Sequence, residues 1–177
     1  MKGDTDMPGM EGKSQLDGVH FIPVEVHNKD GRGDKYFGWD QKIKKRFGID
    51  FNPGQINTSE LYVGLIKAWH RHQQQDDFMF FFSGIVIVVV WRTNLGSLCE
   101  QYERKYESEK FIVGEHNPGI VCIPREYWHG LHCIKGPGWM NYYVTQEYNP
   151  ENIDEERLDC YDPGYAEMRK LLEMEVK

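Results

Sequence analysis

The sequence predicts a mainly β domain built as a barrel or sandwich, and two observations support this fold class. Most of the chain from residue 55 to residue 146 comes as short apolar or alternating runs broken by Gly, Pro and Asn, which is the pattern of short strands between turns. There are eight such runs, and a chain of 177 residues is long enough for eight strands to bury one shared core. The runs are 55–59, 62–72, 78–83, 85–93, 111–113, 119–123, 130–134 and 140–146.

The segment before these strands predicts a tail and one further strand. Residues 1–15 are polar and Gly-rich without the apolar core of a signal peptide, so we expect a disordered tail and a cytoplasmic protein. A strand is predicted from Val19 to Val26, and a loop with two glycines follows it. The remaining residues, 16–177, are expected to form a single domain.

Two helices are predicted at the edges of the β region. Apolar residues recur every four positions before Gly48, which predicts a short helix near 40–48; they are Trp39, Ile43 and Phe47. Asp162-Pro163 is a good helix start. The positions after it have apolar residues at helical spacing, namely Tyr165, Met168, Leu171, Leu172 and Met174, so a C-terminal helix packed on the barrel or on a partner subunit is expected.

Charge, hydropathy and cysteines exclude several classes of protein. The formal charge of −7 is spread along the chain, which argues against a nucleic-acid surface. The longest apolar run, 78–91, is broken at Ser83-Gly84 and is shorter than the roughly 18 residues of a membrane helix. It therefore predicts two buried strands joined at a turn. The four cysteines lack a C-x-x-C pair and are expected to be free thiols.

Two histidines stand out in the run 62–72. Alternate side chains of a strand share a face, so His70 and His72 are expected on one face, with Lys67, Trp69 and Arg71 on the other. Two histidines alone fit a solvated outer face as well as a polar barrel lumen.

The spacing around these histidines favours the lumen. Gly64, His70, His72, Asp77 and Gly84 follow one another at the spacing G-x5-H-x-H-x4-D-x6-G. This is the spacing of the first cupin motif, with Asp in place of the usual Glu.

A weaker second cupin motif lies at Pro124-Arg-Glu-Tyr-Trp-His129, where Glu126 stands in place of the usual glycine. Together the two motifs predict a cupin-type jelly-roll β-barrel. A closed sheet turns alternate residues inward, so His129 is expected to converge on the same lumen as His70 and His72.

Six segments resemble a narrower family, and they occur in its order along the chain. They are Asp30-Gly-Arg-Gly33 (D-x-R-G), Gln55-Ile-Asn-Thr-Ser59 (Q-x-N-x-S), Leu65-Ile-Lys-Ala-Trp-His70 (V-L-R-G-L-H), Ile123-Pro-Arg-Glu-Tyr-Trp-His-Gly130 (I-P-x-G-F-A-H-G), Tyr142-Tyr-Val-Thr-Gln-Glu-Tyr-Asn-Pro150 (Y-x-x-T-x-x-Y-x-P) and Tyr161-Asp162-Pro163 (N-D-P). Over about residues 17–163 the chain is thus similar to the dTDP-4-dehydrorhamnose 3,5-epimerases, cupins that work without a metal or other cofactor and form homodimers by sheet exchange.

The resemblance implies a nucleotide-sugar substrate and three catalytic residues: His70 as base, Tyr142 as the acid on the opposite face, and Asp162 as the carboxylate that orients His70. Protons beside a ketone are weakly acidic, so epimerisation needs a positioned base and a group that holds the enolate charge. The expected substrate is a nucleotide-linked 4-keto-6-deoxy sugar inverted at C3, C5 or both. Further substrate-binding residues are expected at Arg32, Gln55, Asn57, Lys67, His72 and His129.

Some of these assignments have alternatives. Asp162 could simply cap the last helix, and either Tyr142 or Tyr143 could be the inward tyrosine. His116 and His132 occupy no motif position and are treated as ordinary surface or loop residues.

The chain also departs from the family pattern, and the departures support a second hypothesis. Lys67 replaces the family arginine, His72 replaces a glutamine, and Asp77 stands where the family has a phosphate-binding lysine. Three histidines and a carboxylate are the ligand set of a metal-binding cupin. The alternative is therefore a metal-dependent isomerase or oxygenase with the ligands His70, His72, Asp77 and His129.

Overall fold

The computed structural model describes residues 15–27, 31–37, 45, 48–49, 52–93 and 106–173. Within them it has ten strands, β1 to β10, a 3-10 turn at Pro163–Tyr165 and an α-helix, α1, at Ala166–Glu173. The strands are β1 His20–Pro23, β2 Glu25–His27, β3 Lys35–Phe37, β4 Gln55–Leu61, β5 Ile66–Arg71, β6 Asp77–Thr93, β7 Tyr106–Gly114, β8 Gly119–Ile123, β9 Trp128–Val144 and β10 Glu156–Arg157. The mainly β, cupin-type prediction is confirmed.

Two long strands hold the molecule together. β6 and β9 have 17 residues each and pair antiparallel from Asp77↔Val144 to Trp91↔Trp128. The first half of β6 also pairs with β8 and its second half with β7, while β9 pairs with β5 and then with β4. The sheet order is β1-β8-β6-β9-β5-β10, so both halves of the barrel are joined through the same two strands.

Alternation along β6 explains how this sheet buries two apolar layers. Val86, Val88 and Val90 belong to the inner core, which also holds Met79 and Phe81. The intervening residues of β6 face outward, as expected for a period of two, and they are covered in turn by α1. They are Ile87, Val89 and Trp91, and the residues of α1 that reach them are Met168 and Leu172. The predicted C-terminal helix packed on the barrel is confirmed.

Four of the predicted strand boundaries were wrong. The single strand predicted from Val19 to Val26 is two strands, β1 and β2, which belong to different sheets. Residues 78–83 and 85–93 form one strand rather than two joined at a turn, because the pairing with β9 continues past an irregularity at Ser83–Ile85. For the same reason 130–134 and 140–144 are parts of one strand, β9, which ends at Val144. At the start of 62–72 the chain instead turns: Leu65 N donates to Tyr62 O (3.1 Å) and Gly64 has φ +81°, so β5 begins only at Ile66.

Several predictions fall outside the described residues. These are residues 1–14 of the predicted tail, Cys99, and all of the predicted helix near 40–48 except Lys45 and Gly48. Cys122, Cys133 and Cys160 are buried free thiols, as predicted. In the part of the chain that the structure describes, no helix is both long enough and apolar enough to cross a membrane.

Candidate active site

A cavity of about 650 Å³ opens on the inner face of the barrel, where β4, β5, β6 and β9 come together. Its wall combines apolar side chains with amides, acids and bases. The residues relevant to function are Gln55, Asn57, Ser59, Lys67, His70, His72, Gln75, Asp77, Tyr142, Tyr148, Glu155 and Arg157. Most of the site residues predicted from the sequence are therefore brought to one place.

His70 lies near the end of β5, paired with His129 on β9 and with Arg157 on β10. Its ring packs edge-on against that of His129, with 4.0 Å between ring centroids. Burial lowers the pKa of His70 well below the usual 6.5, and the positive potential of His129, His72, Arg157 and Lys67 lowers it further. A neutral imidazole is thus favoured at pH 7, as a base requires.

Lys67 lines the same cavity as His70, although simple alternation predicted opposite faces. The reason is a shift in the β5–β9 register between Lys67 and His70, which breaks the period of two. Beyond it, Arg71 faces away from the lumen as predicted: its guanidinium lies 4.5 Å from the Trp128 ring and pairs with Glu156. The Lys67 ammonium donates to Ser59 Oγ (3.3 Å).

Of the two neighbouring tyrosines on β9, Tyr142 lines the cavity and Tyr143 packs against the outer cluster that contains Phe78. Burial raises the pKa of Tyr142, and the negative charges of Asp77 and Glu155 raise it further. The phenol therefore stays protonated and can donate a proton.

The amides of β4 form a polar wall held by hydrogen bonds. Gln55 Nε2 donates to Asn57 Oδ1 (2.7 Å), and Gln55 Oε1 accepts from the backbone N–H of Tyr148 (2.8 Å). These contacts fix the orientation of the two amides, so they can present polar groups to a sugar.

His72, Asp77 and His129 form a compact cluster beside His70. Asp77 and His129 are among the described polar residues that are almost fully buried, at 3% and 2% exposure, and His129 lies behind the cavity wall rather than on it. Asp77 Oδ2 is 3.1 Å from His129 Nε2 and 3.8 Å from His72 Nε2. The fourth residue of the predicted metal set, His70, does not belong to this cluster.

Besides His129, two further predicted residues do not line the cavity. Asp162 caps the helical segment at the C-terminus: its Oδ1 accepts from Gly164 N (2.7 Å). It lines a separate shallow pocket with Tyr106 and Tyr165, so the expectation that it orients His70 is not met. Arg32 is an exposed loop residue and is absent from the described lining of the cavity.

Other cavity residues were missed by sequence reasoning. Arg157 and Glu155 reach the cavity from β10 and the residue before it, and Arg157 Nε donates to Glu155 Oε1 (2.8 Å). Because β10 has only two residues, no periodicity could reveal it. His132, treated as a surface residue, is half-buried, and its Nδ1 donates to the Leu172 carbonyl at the end of α1 (2.9 Å).

Comparison with known proteins identifies two relatives by sequence. No protein-family model matches the chain. The spore coat polysaccharide biosynthesis protein SpsL of Bacillus subtilis is 32% identical over 149 residues, which cover 83% of this chain and 91% of that protein. The probable low-salt glycan biosynthesis epimerase Agl13 of Haloferax volcanii is 32% identical over 110 residues, covering 62% of this chain and 68% of that protein.

Solved structures share the architecture. The dTDP-6-deoxy-D-glucose-3,5-epimerase RmlC of Legionella pneumophila, solved with dTDP-4-keto-L-rhamnose, superposes with a TM-score of 0.69 at 24% identity, covering 86% of this chain and 79% of that one. The chain therefore belongs to the family of SpsL and of the probable glycan biosynthesis epimerase Agl13, and it shares the fold of the dTDP-sugar 3,5-epimerases.

Proposed function

We propose that this protein epimerises a nucleotide-linked 4-keto-6-deoxy sugar at C3, at C5 or at both, with His70 as base and Tyr142 as acid. The observation that carries the proposal is that His70 on β5 and Tyr142 on β9 line one cavity. A base and an acid on different strands can address a planar enolate from different sides, which inversion requires.

The state of His70 suits proton abstraction. When His70 takes the proton from the carbon beside the ketone, the C–H electron pair moves into the carbonyl and leaves an enolate. The lowered pKa of His70 means that the unprotonated form is available at neutral pH, and a general base of this kind contributes roughly 10²–10⁴-fold to a rate.

The state of Tyr142 suits the return of a proton. Its raised pKa keeps the hydroxyl protonated until the enolate carbon accepts the proton, and the new C–H bond then forms on the face that Tyr142 addresses. The phenolate that results regains a proton from solvent, and the imidazolium of His70 releases its proton to solvent, so both groups return to their starting states.

Two cations in the cavity match the charge of the proposed ligand. Lys67 and Arg157 both line the cavity, and an enolate oxygen or a diphosphate is stabilised by such groups. Asp77 and Glu155 lie in the same wall, so the cavity is mixed in charge rather than uniformly basic.

The relatives support a role in making glycan precursors. SpsL is named for spore coat polysaccharide biosynthesis and Agl13 for glycan biosynthesis as a probable epimerase. The complex of the Legionella enzyme contains a dTDP-linked 4-keto sugar. We therefore place the protein in deoxysugar and polysaccharide biosynthesis, and we propose the homodimer that the family resemblance implies.

The test is incubation of the purified protein in D2O with a dTDP-linked and a UDP-linked 4-keto-6-deoxy hexose. We expect NMR to show deuterium at C3, C5 or both of at least one sugar, followed by a product inverted at the exchanged carbon. Failure to exchange any of these positions with either nucleotide would contradict the proposed function.

A further inference from the structure

We propose that His72, Asp77 and His129 form a binding site for one divalent transition-metal ion. One ligand atom from each residue lies within 4.8 Å of the other two. Two imidazoles and one carboxylate converging in this way can hold three positions of a tetrahedral or octahedral ion. The family to which the resemblance points works without a metal, so this site is a departure within it.

The Nδ1 atoms of His72 and His129 are each hydrogen-bonded to a backbone carbonyl. His129 Nδ1 donates to the Tyr127 carbonyl (3.2 Å), and His72 Nδ1 donates to the Asp154 carbonyl. A carbonyl oxygen can only accept, so both Nδ1 atoms carry the proton. When such an imidazole is neutral, or once a cation displaces its second proton, the lone pair is on Nε2, the atom that faces Asp77. This arrangement is the one that usually orients metal-bound histidines.

The atoms that face each other are electron-rich and close together. Asp77 Oδ2 lies 3.1 Å from His129 Nε2, yet no hydrogen bond joins them: the Nε2 atom is buried without a hydrogen-bond partner. The other oxygen of Asp77 is held in place because it accepts from Gln75 Nε2 (2.7 Å). A buried carboxylate oxygen beside an unpartnered imidazole nitrogen is costly, and a cation bound between them removes that cost.

The ligand types narrow the choice of ion. Imidazole nitrogen suits Zn²⁺, Fe²⁺, Co²⁺, Ni²⁺ and Cu²⁺, whereas Ca²⁺ and Mg²⁺ prefer sites made of oxygen. Three protein ligands leave at least one position for water or substrate, as in catalytic zinc sites. His72, Gln75 and Asp77 line the cavity, so a small ligand in the cavity has access to the site.

The site lies next to the proposed base, and its role there rests on the proposed function. His70 is not one of the three ligands, but its ring centroid is 4.0 Å from that of His129. An ion bound here would act as a Lewis acid that holds the ketone oxygen while His70 takes the proton from the adjacent carbon. His70 thus keeps the role of base, and the metal takes the role of enolate stabiliser.

The test is a titration of the full chain, stripped of metal with EDTA and dialysed, with Co²⁺ alone. Calorimetry should give one ion per chain, and visible absorption should show the d–d bands of a nitrogen- and oxygen-bound ion. His72→Ala and Asp77→Asn should each weaken binding by more than about 100-fold, beyond the 10–100-fold that loss of an outer partner costs. His116→Ala is the matched control, since His116 is exposed on a loop, and it should bind as the wild type does.

Absence of saturable Co²⁺ binding to the wild type would overturn the site, as would binding that His72→Ala and Asp77→Asn both leave unchanged. Near-UV circular dichroism identifies a variant that has lost its fold. If Asp77→Asn is such a variant, the test rests on His72→Ala, which is the milder substitution because His72 is only half-buried. Deuterium exchange is measured separately, on metal-free and Co²⁺-loaded protein. Equal exchange rates in the two forms would overturn the Lewis-acid role. No exchange in either form would contradict the proposed function, whereas the metal site would still be supported by the titration.

Discussion

Basic groups surround His70, and they decide how it can act as a base. His129, His72, Arg157 and Lys67 all lower its pKa in addition to the effect of burial. An imidazolium at this position is therefore unfavourable until a negative charge forms nearby. In the proposed reaction the enolate would supply that charge at the moment of proton transfer, so the surroundings of His70 would favour the transition state over a protonated resting enzyme.

A substitution at Tyr142 separates the removal of the proton from its return. We expect Tyr142→Phe to keep measurable deuterium exchange, because His70 is intact, but to lower the rate of net inversion by about 10²–10⁴-fold, the usual contribution of a general acid. Exchange and inversion are read from the same NMR time course. Tyr143→Phe is the control, since Tyr143 faces the outer cluster. Equal losses of exchange and inversion in Tyr142→Phe would contradict the proposed role.

Asp162 gives a second prediction. Because its carboxylate caps the helical segment, Asp162→Ala should lower the free energy of unfolding by about 0.5–2 kcal/mol, the usual cost of losing such a cap. Deuterium exchange per folded molecule should stay unchanged. Urea unfolding measures the stability, and the exchange assay measures the activity. If Asp162→Ala had normal stability but no exchange, Asp162 would have a catalytic role instead.

The sequence predicted many of the site residues because they lie in strands with motif spacing. His70, Lys67 and Tyr142 belong to such strands, and all three line the cavity. Arg157 and Glu155 could not be found in this way, because they come from a two-residue strand and the residue before it. The role of Asp162 was inferred from the family motif alone, whereas local helix-start chemistry already explained an aspartate before proline.

At the scale of elements, Gly84 lets β6 continue where the sequence suggested a turn. It has φ +67°, and a Cβ built there would lie 2.5 Å from the Lys135 carbonyl oxygen of β9. Local sequence cannot distinguish such an irregularity from a turn, because both need a glycine with positive φ. The distinction comes from the neighbouring strand, whose pairing with β6 resumes at Ile85.

We expect Gly84→Ala to destabilise the protein by about 1–2 kcal/mol through its left-handed backbone and by about 1–3 kcal/mol more through the clash. Gly31→Ala isolates the first effect, because Gly31 has φ +69° and nothing within 4 Å of a built Cβ. Chemical denaturation of both variants gives the difference. Equal destabilisation of Gly84→Ala and Gly31→Ala would show that the added methyl group at position 84 causes no measurable clash with β9.

At the scale of the whole molecule, β4 has one open side. Among the described strands it pairs with β9 alone, and its Ile56 side chain is 61% exposed. An edge strand of this kind can pair with another chain, which agrees with the homodimer that the family resemblance implies.

Light scattering should therefore give twice the chain mass of 20.8 kDa. Ile56→Asp should convert the dimer to a monomer, because a charge on that edge opposes burial. Ile153→Asp is the matched control: Ile153 is 57% exposed but lies outside the strands, and this variant should stay dimeric. A wild type with the mass of a single chain at micromolar concentration would contradict the expected assembly.

We propose that His70 removes the proton beside the ketone of a nucleotide-linked sugar, and solvent deuterium exchange by His70 variants tests this role. Exchange of deuterium from D2O into the ring of a dTDP-linked 4-keto-6-deoxy hexose is followed by NMR for the wild type, His70→Ala and His132→Ala. His132 provides the matched histidine, because it lies on β9 and contacts α1 rather than the cavity. We expect exchange by the wild type and by His132→Ala, and none above the enzyme-free rate by His70→Ala. Exchange that persists in a folded His70→Ala protein would contradict the proposed role of His70.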